Sequence, residues 1–345
     1  MRHAFARLLF VGSILATALT FSAAADAAAQ RTFVASYGLS GNTAFNCSIV
    51  NPCRAFSEAM SVTGIGGEVV VLDSAGYGPV VIDKSISIIA PAGIYAGITV
   101  TSGTGIDIVT PAADVKLKGL TINGQGGTTG LSMVMSPIAN TSLMVEDCTI
   151  SHMNTDGIHI YGAVTATLDR VRVERNNGDG IHVENGARFT VSNSSVFANQ
   201  NDGIHVVVVG GSAGNSMRGL VERSTISDNG VAGIETGNLT GSYTIALDVR
   251  ETQVVRNTYG LKVNVSSLVY ASNSDINSNS GSGIVVIGTG AAVVASANMV
   301  SMNGYGYYVD TNGGIYTLAN NVVRDNTAKN INVGNSGGVY SLTFD

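Results

Sequence analysis

NTDGIHIYGAVTATLDRVRVERNNGDGIHVENGARFTVSNSSVFANQNDGIHVVVV, residues 154–209, holds three copies of one unit. Gly157, Gly180 and Gly203 open the copies 23 residues apart, and each is followed by Ile, His and an aliphatic residue. Outward from this stretch, a Gly followed by an apolar residue recurs at Gly105-Ile106, Gly130-Leu131, Gly233-Ile234, Gly260-Leu261, Gly283-Ile284 and Gly306-Tyr307. A degenerate tenth copy is Asn330-Ile331, and the spacings run 25, 27, 23, 23, 30, 27, 23, 23 and 24 residues. A fixed period in this range is the mark of a solenoid, whose units cannot bury an apolar face alone.

Within each unit the residues one and three past the Gly are apolar and the second varies, as in GIHI (157–160) and GIHV (180–183). That alternation describes a short strand with one face inward. A second apolar mark falls about 16 residues past the Gly, at Val173, Val196, Ile226, Val254, Ile276, Val300 and Val323. An Asn then closes the unit at Asn176, Asn199, Asn229, Asn257, Asn279 and Asn303. Asn tolerates left-handed backbone and Gly adopts positive φ freely, so both are expected at sharp corners. Such short strands between corners leave no room for a helix. The expected fold is all-β, a single-stranded right-handed parallel β-helix with a short N-terminal capping helix. Ten coils at about 4.8 Å each would give a rod roughly 45–50 Å long. Ile106, Leu131, Ile158, Ile181, Ile204, Ile234, Leu261 and Ile284 would form one inward column, joined by Tyr307.

The ends differ from the repeat. Arg2, His3 and Arg7 precede the apolar run Leu8 to Phe21 and the A-x-A pattern Ala25-Asp26-Ala27, so residues 1–27 read as a signal peptide. The expected address is secreted, periplasmic or cell-surface, with no membrane span in the mature chain. Residues 28–65 read as a cap, in which CRAFSEAM (53–60) is the one good helical pattern, and residues 66–345 as the coil. EVVVL (68–72), VVI (80–82) and ISII (86–89) would build the first coil beneath that helix. GVYSLTF (338–344) is an apolar strand with no helix after it, which makes oligomerisation through the last coil an expectation.

The whole chain carries a formal charge of −6, and removal of residues 1–27 takes away Arg2, Arg7 and Asp26 to leave −7. An acidic balance without a basic stripe argues against nucleic acid as a partner. Charged residues make up 12% and hydrophobic ones 45%, a composition opposite to that of disordered chains. Cys47 and Cys53 flank a five-residue loop and are expected to form a disulfide. Cys148 is left over as an unpaired, at least partly buried thiol. No CxxC motif supports redox chemistry.

The GI-x-V units with Asn corners resemble the right-handed parallel β-helix repeat of the pectin-lyase-like superfamily. The head TFVASYGLSGNTAFNCSIVNPCRAF (32–56) with GGEVVVLDSAGYGPVVIDKSISI (66–88) is similar to a group of secreted bacterial β-helix proteins. The resemblance speaks for fold, because this fold hosts lyases, hydrolases, epimerases and adhesins alike. NTDG at 154–157 is similar to a polygalacturonase motif, but that family's later Asp-Asp, Gly-His-Gly and Arg-Ile-Lys strings are missing. The pectate-lyase string R-x-P-x-x-R and the epimerase string D-P-H-D are missing too.

The threefold D-G-I-H pairs Asp156 with His159, Asp179 with His182 and Asp202 with His205. Stacked coils would turn these into an Asp ladder beside a His ladder, both on the outer surface. The His column would continue through Glu235, Lys262, Val285 and Tyr308, and the Asp column through Ala232, Tyr259, Ser282 and Tyr305. These six residues are the candidate catalytic groups if the protein is a polysaccharide lyase or epimerase acting on uronates, where a base removes a proton and a cation steadies the carboxylate. A plainer reading has each Asp capping its own turn and each His as an exposed strand residue. Arg172 and Arg175, with Arg170 and Arg188 nearby, and Tyr308 are candidate contacts to a polysaccharide. Solvated outer-face arginines are the plainer reading there as well. No cofactor and no dedicated metal site are expected, calcium beside the Asp ladder being the one exception. Whether the protein is an enzyme stays open. The leading expectation is a non-catalytic face for polysaccharide or a partner protein, with a lyase or epimerase as the alternative.

Overall fold

Each turn of the chain lays down three short strands, one in each of three parallel sheets, where the linear pattern shows two apolar marks per unit. A computed structural model describes residues 29–134, 141–209, 216–238 and 244–342. The signal-peptide expectation for residues 1–27 lies outside them. Thr63–Val71 lies in sheet 1, Val80–Ile82 begins sheet 2 and Ala75–Gly76 begins sheet 3, and Ile86–Ile89 returns to sheet 1. Among the described residues sheet 1 has 13 parallel strands, and sheets 2 and 3 have 11 each. The chain is a right-handed parallel β-helix, the hand that parallel crossovers take almost without exception.

The inward column is in register from end to end. Val80, Ile106, Leu131, Ile158, Ile181, Ile204, Ile234, Leu261, Ile284 and Tyr307 succeed one another in sheet 2, and all are buried. The ten marks from Gly105 are thus ten of eleven rungs, Val80 supplying the first. Sheet 3 stacks the second marks, Val173 on Val196 on Ile226, in the same way. Apolar burial along these columns, at roughly 25 cal/mol per Å², is the main force holding rung to rung.

The head differs in detail from expectation. The helix runs Phe56–Val62 rather than 53–60. Cys53 is held beside Phe33 and Val34 by backbone hydrogen bonds and by its disulfide to Cys47, so the chain is extended there. Only after Ala55 does it turn, where the Glu58 carboxylate accepts the Arg54 and Ala55 N–H groups at 2.9 and 3.0 Å. Phe56, Ala59 and Met60 are buried, and the Phe56 and Tyr77 rings pack 5.2 Å apart. ISII does not belong to the first coil: it is the second rung of sheet 1, and Ala29–Val34 adds a further strand before Thr63–Val71.

The corners work by a different device from the one expected. The ladder asparagines do not take left-handed backbone; the residues before them do, Arg175 at φ 53, Ala198 at 56, Asp228 at 57 and Arg256 at 57. Asn side chains instead turn inward and bond the next rung, Nδ2 of Asn176 donating to Oδ1 of Asn199 at 2.9 Å, and so on through Asn229, Asn257, Asn279 and Asn303. Gly157, likewise, is not at positive φ. A Cβ there would stand 2.5 Å from Val173 Cγ1 and 2.7 Å from the Gly180 carbonyl oxygen, so it is space that demands glycine. Cys148 is free and buried, and burial pushes its thiol up to about 12.

Candidate functional site

The outer face of sheet 2 carries the ladders. Its central column reads Asp107, Ser132, His159, His182, His205, Glu235, Lys262, Val285 and Tyr308, one residue per rung. The strands Ile158–Tyr161, Ile181–Glu184 and Ile204–Val208 place the three imidazoles, since inward Ile158, Ile181 and Ile204 force the next residue out. Successive His rings lie 5.1 and 4.9 Å apart. They are not exposed strand residues: the side chains are only 27%, 17% and 24% exposed.

Each Asp is a latch between rungs rather than a cap on its own turn. Oδ1 of Asp156 accepts the Asp179 N–H at 2.8 Å, Oδ1 of Asp179 accepts the Asp202 N–H at 3.0 Å, and Oδ1 of Asp202 accepts the Ala232 N–H at 2.8 Å. The second oxygens face the imidazoles. Asp179 Oδ2 lies 3.0 Å from Nδ1 of both His182 and His205, while Asp156 Oδ2 is 3.7 Å from His182 Nδ1 and Asp202 Oδ2 is 3.9 Å from His205 Nδ1. On its far side His182 Nε2 stands 2.9 Å from Glu184 Oε1, with His159 Nε2 at 3.7 Å from the same oxygen.

This crowding sets the protonation. Burial alone would lower His182, but Asp179 and Glu184 outweigh it and raise the imidazole to about 10. Burial likewise opposes the charged form of Asp179, and the hydrogen bonds from His182 and His205 overcome it, holding the carboxyl well below the usual range. Glu184 is brought down to about 2, first by His159 and then by His182. Asp202 moves the other way, raised by burial and then by the nearby Glu235 and Asp179 charges. Burial also raises Asp156.

The six ladder residues therefore come together, but the arginines do not join them. Arg172 lies on sheet 3, where it pairs with Glu174 at 2.9 Å and covers the Phe197 ring at 4.4 Å. Arg175 takes the same Glu174 at 2.8 Å, and Arg170 pairs with Asp147 and Asp169. Arg188 is on sheet 1, stacked in register with Arg218 beside a 250 Å³ trough. Four rungs past His205 on sheet 2, Tyr308 does face out, and with Tyr259, Lys262, Ser282, Val285 and Tyr305 it lines a recess of 330 Å³. The Tyr305 and Tyr308 rings meet edge to face at 5.6 Å, and Lys262 pairs with Glu235 at 2.9 Å, joining recess to ladder. Tyr307 is core, and Tyr316 stacks on Tyr340 at 5.2 Å on sheet 1. A larger recess of 420 Å³, between the helix and the first rungs, has only Asp83 and Lys84 as charged lining.

Glu184 and Lys262 were not among the sequence candidates. The signal for Glu184 was present: in IHVE, two residues past His182, alternation puts it on the same face.

The chain matches the right-handed beta helix region family over residues 67–211 and 137–300. No curated protein matches the chain. Among solved structures the chain is similar to a GH136 lacto-N-biosidase from Eubacterium ramulus, at 10% identity and TM-score 0.53 over 90% of this chain and 68% of that one. It is also similar to a pectate lyase, at 14% identity and TM-score 0.51 over 88% and 78%. An Azotobacter vinelandii mannuronan C-5 epimerase A-module gives 13% identity and TM-score 0.49 over 84% and 94%. At such identities the likeness is one of fold.

Proposed function

We propose that this chain, which belongs to the right-handed beta helix region family, is a secreted or cell-surface protein that binds polysaccharide along the outer face of sheet 2 without cleaving it. The carrying observation is the tyrosine-lined recess of 330 Å³ set on the same face as the half-buried polar ladder. Aromatic rings offer sugars an apolar face, and the neighbouring Lys262, Glu235 and ladder groups offer hydrogen bonds. The Cys47–Cys53 disulfide supports an oxidising compartment, and no helix among the described residues is long and apolar enough to cross a membrane. The pectate lyase and lacto-N-biosidase named above carry carbohydrate substrates in their names, which supports the ligand class. Against catalysis stands the commitment of one oxygen of each ladder Asp to an amide N–H, with Arg172 and Arg188 on other sheets and Arg175 at the corner after sheet 3. Ile331, Val333, Tyr340 and Leu342 stay exposed at the last rungs, so pairing with a second chain there is part of the same proposal, read by solution mass.

Affinity electrophoresis through pectate, alginate and neutral glucans tests the reading. Retardation by at least one polymer is expected, weakened about tenfold in Tyr308→Ala, the loss of about 1.4 kcal/mol of contact. No unsaturated or shortened sugars should appear. The lyase or epimerase alternative draws on one observation, the shifted protonation of Asp179 and His182, and product formation lost in His182→Ala would establish it instead. Absence of retardation on every polymer would end the binding proposal.

A further inference from the structure

We propose that His159 Nε2, His182 Nε2 and Glu184 Oε1 form a site for one divalent transition-metal ion of the zinc class. The three donor atoms come from two neighbouring rungs and lie within 4.8 Å of one another. Zinc holds imidazole nitrogen and carboxylate oxygen at about 2.0–2.2 Å, so ligand atoms around it stand roughly 3–4 Å apart. Glu184 Oε1 is 2.9 Å from one nitrogen and 3.7 Å from the other. The ion would fit with small side-chain adjustments and no movement of the sheet.

The second observation concerns the nitrogens themselves. Nε2 of His159 and of His182 are both buried and neither has an aligned hydrogen-bond partner, although a carboxylate oxygen stands at contact distance. A hydrogen bond requires the ring N–H to aim at the oxygen. Ligands that share an ion aim their lone pairs at a common point off the line between them, and here close approach occurs without hydrogen-bond alignment. An imidazole nitrogen buried without a partner is otherwise a cost with no return.

A supporting shell is already in place. Asp179 Oδ2 stands 3.0 Å from His182 Nδ1, the side opposite the proposed ion, and Asp179 is itself anchored through Oδ1 to the Asp202 N–H. A carboxylate behind a histidine holds the proton on that side of the ring, so an ion that displaces the proton on the far nitrogen meets its lone pair. Tyr161 and Val207 flank Glu184 in register, limiting where its carboxylate can go. Two imidazoles and a carboxylate suit zinc, cobalt or nickel rather than calcium, which seeks six or more oxygens. The sequence places a cation, if any, beside the Asp ladder; there one oxygen of each Asp is committed to an amide N–H, whereas one column across two buried nitrogens lack an aligned hydrogen bond.

The proposal is independent of sugar binding. Chelator-stripped full-length protein should take up one equivalent of zinc by calorimetry, and cobalt should give the visible absorption of a low-coordinate site. His159→Ala and Glu184→Gln should each weaken zinc at least tenfold, and His205→Ala should not. In the unsubstituted protein zinc should shift the imidazole NMR signals of His159 and His182 and leave that of His152 in place, which keeps the test sound if a variant fails to fold. Failure of zinc, cobalt and nickel to bind the unsubstituted protein would overturn the assignment. So would binding that survives both substitutions, or binding abolished by His205→Ala, which would place the ion at Asp179, His182 and His205 instead.

Discussion

Two ladders climb this coil, and they obey different chemistry. Asn176, Asn199, Asn229, Asn257, Asn279 and Asn303 stack at one corner, while His159, His182 and His205 stack with Asp156, Asp179 and Asp202 on sheet 2. An amide carries both donor and acceptor, so one Asn repeats its bond to the next indefinitely and the ladder closes on itself. A carboxylate only accepts, and an imidazole balances it only with a proton or an ion in hand. Stacking therefore makes the first ladder inert and leaves the second responsive to its surroundings.

The largest effect expected is at Asp179. Its loss in Asp179→Ala strands the Asp202 N–H and removes the shared partner of two imidazoles, and about 4 kcal/mol should vanish in urea unfolding. Asn229→Ala should follow at about 3 kcal/mol, because the backbone N–H and Nδ2 of Asn199 both lose their acceptor within the core. The loss at Asn229 should be the same at pH 6 and pH 9; a strong pH dependence there would break the contrast between the ladders.

The smallest effect is the pH profile of the unsubstituted protein. His182 is raised from 6.5 to about 10, so the stability from its carboxylate contacts is complete below 6.5 and drains away as pH rises through about 10. Asp202, raised from 3.8, acts in the same direction, because the folded state holds that proton more tightly. Glu184 acts at the other end: its contribution is present above 4.5 and lost as pH falls through about 2. The thermal midpoint should decline by several degrees between pH 7 and 10, and His182→Gln should flatten that decline. A midpoint rising over this range would mean that the ladder is not charged as described.

The period-23 repeat made the inward columns legible, down to Ile158 on Ile181 on Ile204, because equal spacing leaves a coil only one register that buries every apolar mark. The outward His and Asp columns followed from the same alternation. What the linear pattern misjudged were the corners. Asn and Gly were read by their backbone freedom, whereas Asn serves as an inward amide and Gly157 as a vacancy for the neighbouring carbonyl, both set by the rung above.

The amino-acid sequence alone thus determined the coil, its period and which residues share a face, since these depend on spacing and on burying one side of a strand. Only the tertiary structure decided what those faces do. It separated the arginines from the ladders by placing Arg172 on sheet 3, Arg175 at the corner after it and Arg188 on sheet 1, and it brought Glu184 to within 2.9 Å of His182. The reason is that rung-to-rung contacts join residues 23 to 30 apart in the chain through side-chain directions and burial, which no local pattern encodes.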